Sequence, residues 1–393
     1  MPESKFKKIG LNLFYIKKQT MKKISILLSL LLVISCSDSK KNSNNLPGRL
    51  GNPEMSLIND PRAIPAVTKV MSEYGLDALA PDPEISIEAS QKEKVDYMTS
   101  LEPVYEEIFK SWYTDLPEVV GVERFTKVID GVDGNKITLY IHKPEKQESN
   151  LPGILHIHGG GMSILKASNP NYVRWRDDLA STGLVVVGVE FRNVAGELGS
   201  HPFPAGLNDC SSALQWMFDN KEELGVSKII VSGESGGGNL TLATTLKAKQ
   251  DDKLFQIDGV YAQCPYISNE YHRTINDLPS LVENNGYFLN VKDMAVMATS
   301  YDGVNSNNPL AWPLFATTED LNGLPPHVIS VNELDPLRDE GLLYYKKLLS
   351  AGVDASSITI NGTVHAGDLI FIKATPKIYR SSLMHINNFA YSL

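Results

Sequence analysis

Short apolar runs and stretches of helical spacing take turns along most of this chain. Val119–Gly131 and Lys136–His142 flank Asp133-Gly134, the turn signal of a β-hairpin. Leu151–Ile157 and Leu184–Glu190 are continuous apolar runs, the pattern of parallel strands buried on both faces. Asn171–Thr182 lies between them as an expected helix, and Pro204–Leu224 sets Leu207, Cys210, Leu214, Met217 and Phe218 along one helical face. The spacing then predicts a strand at Lys228–Ser232 and a helix over Asn239–Lys249. Further strands are expected at Ile257–Cys264, His327–Val331 and Ile358–Asn361. Helices are expected at Leu342–Leu349 and at about Pro376–Ala390, where Tyr379, Leu383, Ile386 and Ala390 recur at amphipathic intervals. A hairpin followed by repeated strand–helix alternation predicts an α/β fold with a mostly parallel eight-stranded sheet and helices on both faces.

Two regions stand outside this alternation. Residues 50–118 have little strand character and much proline. Within them Lys92–Tyr113 suits a helix, with Val95, Met98, Leu101, Tyr105, Ile108, Phe109 and Trp112 as its apolar positions, and Pro103 is expected to divide it. This stretch has no core of its own and reads as a helical cap or arm on a main domain at 119–393. The second region, Ser268–Trp312, reads as a polar, loop-like insertion with one helix at Val291–Thr299, a second piece of cap.

Charge changes the picture at the start of the chain. Residues 1–35 carry seven lysines against Glu3, a net of +6, so removing them from the total of −9 leaves about −15 for the rest. An acidic body argues against a nucleic-acid partner. Met21-Lys22-Lys23 precedes the apolar run Ile24–Ile34, followed by Ser35 and Cys36. A charged start and an apolar run of 11 residues, too short to span a bilayer, make an export signal over residues 1–35. Val33-Ile34-Ser35-Cys36 resembles a bacterial lipobox, in which cleavage exposes a cysteine for lipidation. The expectation is an exported, cell-envelope protein held to a membrane through Cys36, with residues 36–49 as tether; the alternative is a plain signal and a soluble secreted or periplasmic product. Met1 and Met21 both remain open as the start. Cys210 and Cys264 show no metal-type spacing and are expected as buried thiols.

The chemistry gathers around Gly233-Glu234-Ser235-Gly236-Gly237, between the strand at 228–232 and the helix that follows. Strand, sharp turn and helix are the context a Gly-x-Ser-x-Gly elbow requires, and Gly233 and Gly237 leave room for it. The new helix would aim its unpaired N–H groups at charge developing on Ser235. A serine nucleophile needs a base and an orienting acid. Of the histidines that follow, His272 lies in the insertion, His327 opens a strand and His385 sits in the last helix. His365 alone follows the final strand in a loop, between Gly362 and Gly367. For the acid, Glu333, Asp335, Asp339 and Glu340 all follow the preceding strand; Asp335, fixed by Pro336, is the best placed to hold the His365 tautomer. His158-Gly159-Gly160-Gly161-Met162 follows the 151–157 strand, where backbone N–H groups of Gly160 and Gly161, with that of Gly236, would form an oxyanion hole. His158 is expected to brace that loop.

Taken together, His158-Gly159-Gly160-Gly161, Gly233–Asn239, Asp335-Pro336-Leu337-Arg338-Asp339-Glu340-Gly341 and His365 resemble the hormone-sensitive-lipase-like esterases of the α/β-hydrolase superfamily, over roughly Val119 to the C-terminus. The resemblance implies Ser235, Asp335 and His365 as a triad, Gly160, Gly161 and Gly236 as the hole, and a lid built from the two regions outside the sheet. Two departures touch the pocket wall: Glu190–Glu197 differs from the family's usual run, and Ala366-Gly367 stands where Gly-Phe is common. The implied activity is hydrolysis of small to medium carboxylic esters through an acyl-enzyme, with no cofactor and no metal. Amides, lactones or peptides are the alternative substrates, since fold and triad do not fix the leaving group. A non-catalytic small-ligand receptor is the remaining reading.

Overall fold

The computed structural model describes residues 46–393 apart from residue 148, residues 273–275 and residues 304–305. The expected signal segment at 1–35, the lipidation residue Cys36 and most of the tether lie outside the described residues. Near the tether's expected end, Gly48–Gly51 forms a helical turn, and the Arg49 guanidinium donates to Asn285 O at 2.7 Å.

The sheet has eight strands: β1 Val122–Asp130, β2 Lys136–Pro144, β3 Leu151–Ile157, β4 Val185–Glu190, β5 Val226–Glu234, β6 Gly259–Gln263, β7 His327–Asn332 and β8 Ala355–Ile360. Their order is β1-β2-β4-β3-β5-β6-β7-β8. β1 and β2 form the expected hairpin, β2 runs antiparallel to β4, and every later pair is parallel. The run Val185–Val189 is completely buried, as a continuous apolar strand in a parallel sheet requires. β8 begins three residues earlier than the pattern predicts, because Ala355-Ser356-Ser357 pairs as an edge and so carries no apolar signature.

The main helices are α1 Pro65–Ser72, α2 Gln91–Tyr113, α3 Pro170–Ser181, α4 Ala205–Asp219, α5 Gly236–Gln250, α6 Val291–Asp302, α7 Arg338–Ser350 and α8 Pro376–Ser392. α3 and α8 pack together, with the Trp175 and Tyr379 rings edge to face at 5.1 Å; α4 and α5 contact each other.

Three expectations need correction. α2 is one helix of 23 residues and Pro103 does not divide it. Its start is fixed by a capping box between Ser90 and Glu93. Met98, Glu102, Phe109 and Trp112 bury one side, while Pro103 sits on the exposed side, so tertiary packing outweighs the missing donor. Residues 204–224 form α4 and a separate turn, Lys221–Leu224, split at Asn220. The insertion at 268–312 is not a polar surface loop. Ser280, Glu283, Asn284 and Asn290 are all buried there, and their polar atoms are engaged in hydrogen bonds to other segments.

Candidate active site

Ser235 sits between β5 and α5 with φ 57° and ψ −120°, a backbone conformation that costs roughly 1–3 kcal/mol unless the surroundings impose it. They do. Ser235 N donates to Gln263 O at 2.9 Å, and Ser235 O accepts from Asn239 N and Tyr266 N. The turn passes so close to the end of β3 that a Cβ on Gly233 would lie 2.3 Å from Ile157 O, and one on Gly237 only 2.0 Å from the same atom. Glycine is therefore dictated sterically on both sides of the serine.

The loop after β3 turns through three left-handed residues, Gly160 (φ 102°), Gly161 (φ 63°) and Met162 (φ 54°). Gly160 O accepts from Ser163 N and Ile164 N at 3.0 and 3.1 Å, which closes the turn. No protein acceptor is recorded for the N–H groups of Gly160 and Gly161 among the described residues. Gly236 faces them: a Cβ there would lie 2.6 Å from Met162 N and 2.7 Å from Gly161 N. Gly159 instead donates its N–H to Glu234 Oε1 at 2.7 Å, so the residue beside the serine anchors the glycine loop.

His158 is buried and stacked on the Phe191 ring at 4.2 Å. Burial lowers its pKa to about 3, so it is neutral and Nδ1–H donates to Gly159 O at 2.8 Å. This bond ties the ring to the glycine loop. Glu234 is driven the other way, with burial raising its carboxyl to about 8.

Asp335 follows β7 and His365 follows β8, and the two meet: His365 Nδ1–H donates to Asp335 Oδ2 at 2.7 Å. The other carboxylate oxygen accepts from Leu337 N at 2.9 Å. The remaining acids of this turn are engaged elsewhere. Glu333 accepts from Gly362 N, Asp339 from Ser280 N, and Glu340 from the Tyr271 hydroxyl. Of the other histidines, His327 pairs with Pro325 O, His272 with Asn269 O and His385 with the Tyr261 hydroxyl. The departure at Ala366 has a structural counterpart: Ala366 is left-handed (φ 52°) and starts the short helix Gly367–Ile370.

Ser235, His365, Gly159, Gly160 and Gly161 all line one cavity. No side-chain hydrogen bond is recorded for Ser235 Oγ among the described residues; free enzymes commonly leave such a contact long until substrate binds. The rest of the wall is mostly apolar and was not legible from the motifs. α2 supplies Tyr105, Phe109 and Tyr113, α3 supplies Trp175, and the insertion supplies Phe288, Leu289, Met294 and Met297. The amphipathic spacing of α2 carried this signal, but nothing local said which side would face the serine.

Cys264 Sγ lies with the Asp335 and His365 ligand atoms inside a 4.8 Å cluster. Burial pushes its thiol well above the usual range, whereas a metal needs the thiolate. Asp335 and His365 already use each other. The set therefore fits an acid–imidazole pair better than an ion.

Two outcomes follow from this geometry. A carboxyl raised to about 8 holds an extra proton in the folded state, so its favourable contribution is complete below about 4.5 and is lost as pH rises through about 8. Glu234→Gln keeps the acceptor for Gly159 N but cannot ionise. Its unfolding temperature relative to the parent should therefore climb between pH 5 and pH 9; a difference flat with pH would contradict the assignment. Gly236→Ala should lower kcat on a short-chain p-nitrophenyl ester by on the order of a hundredfold, because the methyl displaces facing donors. Parental kcat in a folded Gly236→Ala protein would place the hole elsewhere.

A model of the alpha/beta hydrolase fold matches residues 154–368. The chain is 34% identical over 255 residues to an arylesterase of Saccharolobus solfataricus, covering 63% of this chain and 77% of that one. It is 32% identical over 249 residues to the carboxylesterase NlhH of Mycobacterium tuberculosis (strain ATCC 25618 / H37Rv), covering 60% and 73%. Among solved structures it is similar to brefeldin A esterase, described as a bacterial homologue of human hormone sensitive lipase, with TM-score 0.86, 43% identity, and coverage of 88% of this chain and 98% of the other. The esterase Est22 superposes with TM-score 0.77 at 36% identity, covering 86% and 99%. With this sheet order, this elbow and these relatives, the chain belongs to the α/β-hydrolase fold family, beside the hormone-sensitive-lipase-like esterases that its motifs resemble.

Proposed function

We propose that this protein is a serine carboxylic-ester hydrolase acting on small-molecule esters. The observation that carries the reading is the 2.7 Å Asp335–His365 bond beside a cavity shared by His365, Ser235 and the glycine loop. His365 Nε2 takes the Ser235 proton as Oγ attacks the ester carbonyl, and Asp335 stabilises the imidazolium that forms. The N–H groups of Gly160, Gly161 and Gly236 hold the tetrahedral oxyanion. Collapse expels the alcohol, protonated by His365, and leaves an acyl-enzyme. Water, deprotonated by the same imidazole, attacks it and releases the acid. The mostly apolar wall supports acyl or alcohol groups of small to medium size. Relatives named arylesterase and carboxylesterase support the same chemistry.

Ser235→Ala should abolish turnover of a short-chain p-nitrophenyl ester, and an organophosphonate should label the parent at Ser235 but not the variant. Full turnover by Ser235→Ala would end the proposal.

The cell-envelope location belongs to the same reading. It is supported by Lys22-Lys23, the apolar run 24–34 and Val33-Ile34-Ser35-Cys36. Expressed from Met21 in a bacterium, the protein should partition with membranes and carry a diacylglyceryl group on Cys36 by mass spectrometry. Cys36→Ser should release it to the soluble fraction; a parent protein found unlipidated and soluble would refute the anchor.

A further inference from the structure

The turn that carries Asp335 is gripped from outside the sheet. Asn284, completely buried in the insertion, donates from Nδ2 to Glu333 O at 3.0 Å and to Asp335 O at 3.1 Å. Its Oδ1 accepts from Arg62 Nη2 at 3.1 Å. The adjacent Glu283, also buried, accepts both outer nitrogens of Arg338 at 2.9 Å and pairs with Arg62. Arg338 in turn donates to Glu333 O at 3.1 Å. Ser280 Oγ–H donates to Pro336 O at 2.7 Å. The carbonyls of residues 333, 335 and 336 thus all accept from side chains, two of which, Asn284 and Ser280, belong to the insertion. Four residues past Asn284, the same segment supplies Phe288 and Leu289 to the cavity wall.

Buried carbonyl groups need partners, and a donor that reaches two of them across one turn fixes that turn in space. His365 needs its acid at hydrogen-bond distance, and a displacement of about 1 Å in such an arrangement can cost on the order of a hundredfold in rate. We infer that Asn284, supported by the Glu283–Arg338 pair, is a positioning residue for the Asp335 carboxylate, so that the segment walling the substrate cavity also sets the geometry of the acid. This inference rests on Asp335 serving as the triad acid.

The test compares the parent with Asn284→Ala and with Asn284→Asp, which keeps the size and the acceptor toward Arg62 but removes both donors. Rates are measured on a short p-nitrophenyl ester and normalised to sites titrated by an organophosphonate, so that unfolded protein does not count. Both variants should lose about tenfold or more in kcat per titrated site, with KM within about twofold. The acid limb of the kcat/KM profile should move to lower pH, because a carboxylate held less well stabilises the imidazolium less. A purely structural role would lower the number of titratable sites and leave the limb where it was. Parental kcat per site and an unmoved acid limb in both variants would overturn the inference. Failure of the triad reading itself would show separately, as activity retained by Ser235→Ala.

Discussion

The site depends on how closely the elbow can approach the end of β3. Ile157 O would touch a side chain at either Gly233 or Gly237, and the Gly161 and Met162 amides would touch one at Gly236. Without those three side chains, β5 can turn sharply into α5 with its first N–H groups opposite the glycine loop. With any one of them, the backbones must separate and the donors leave the serine. The strain held in Ser235 is tolerable for the same reason: parallel β3, β5 and β6 pin both sides of the turn, and Ser235 N is tied to Gln263 O.

Behind this contact, burial sorts the charges. His158 is pushed down and kept neutral, while Glu234 and Asp368 are pushed up by desolvation toward the protonated form. Asp335 accepts from Leu337 N and from the His365 ring, whereas the two Asp368 oxygens accept from Asn332 and Ser382. Of these three buried acids, only Asp335 is hydrogen-bonded to the His365 imidazole.

The sheet and the core of the site were legible because their signals are local. A strand, two glycines and a helix read as an elbow over residues 228–249, and His365 is marked by its place after the last strand. Glu234's role was only half visible: its position beside Ser235 is fixed by the motif, but its bond to Gly159 joins segments 75 residues apart. Pro103 misled because the propensity argument counts the lost donor and not the packing of Met98, Phe109 and Trp112. The insertion misled in the opposite direction. Its serines and asparagines look like loop residues, and only the fold brings them against the carbonyls of residues 333–336. Burial of polar side chains through non-local pairing leaves no periodic trace in a sequence.

The wall of the cavity and the glycine loop are not independent of each other. A Cβ on Gly161 would lie 2.9 Å from Met297 Sδ, so α6 packs directly on the glycine loop. Trp112, on α2, lies with its ring 6.4 Å from that of Phe288 and 4.7 Å from that of Phe371, just beyond the helix that follows His365. The two regions outside the strand–helix alternation therefore pack on both sides of the cavity, one against the glycine loop and one against the segment that follows His365. They also set which groups fit against the serine. Changes in these regions would be expected to alter substrate preference and rate together, because side chains that shape the cavity are packed against the glycine loop.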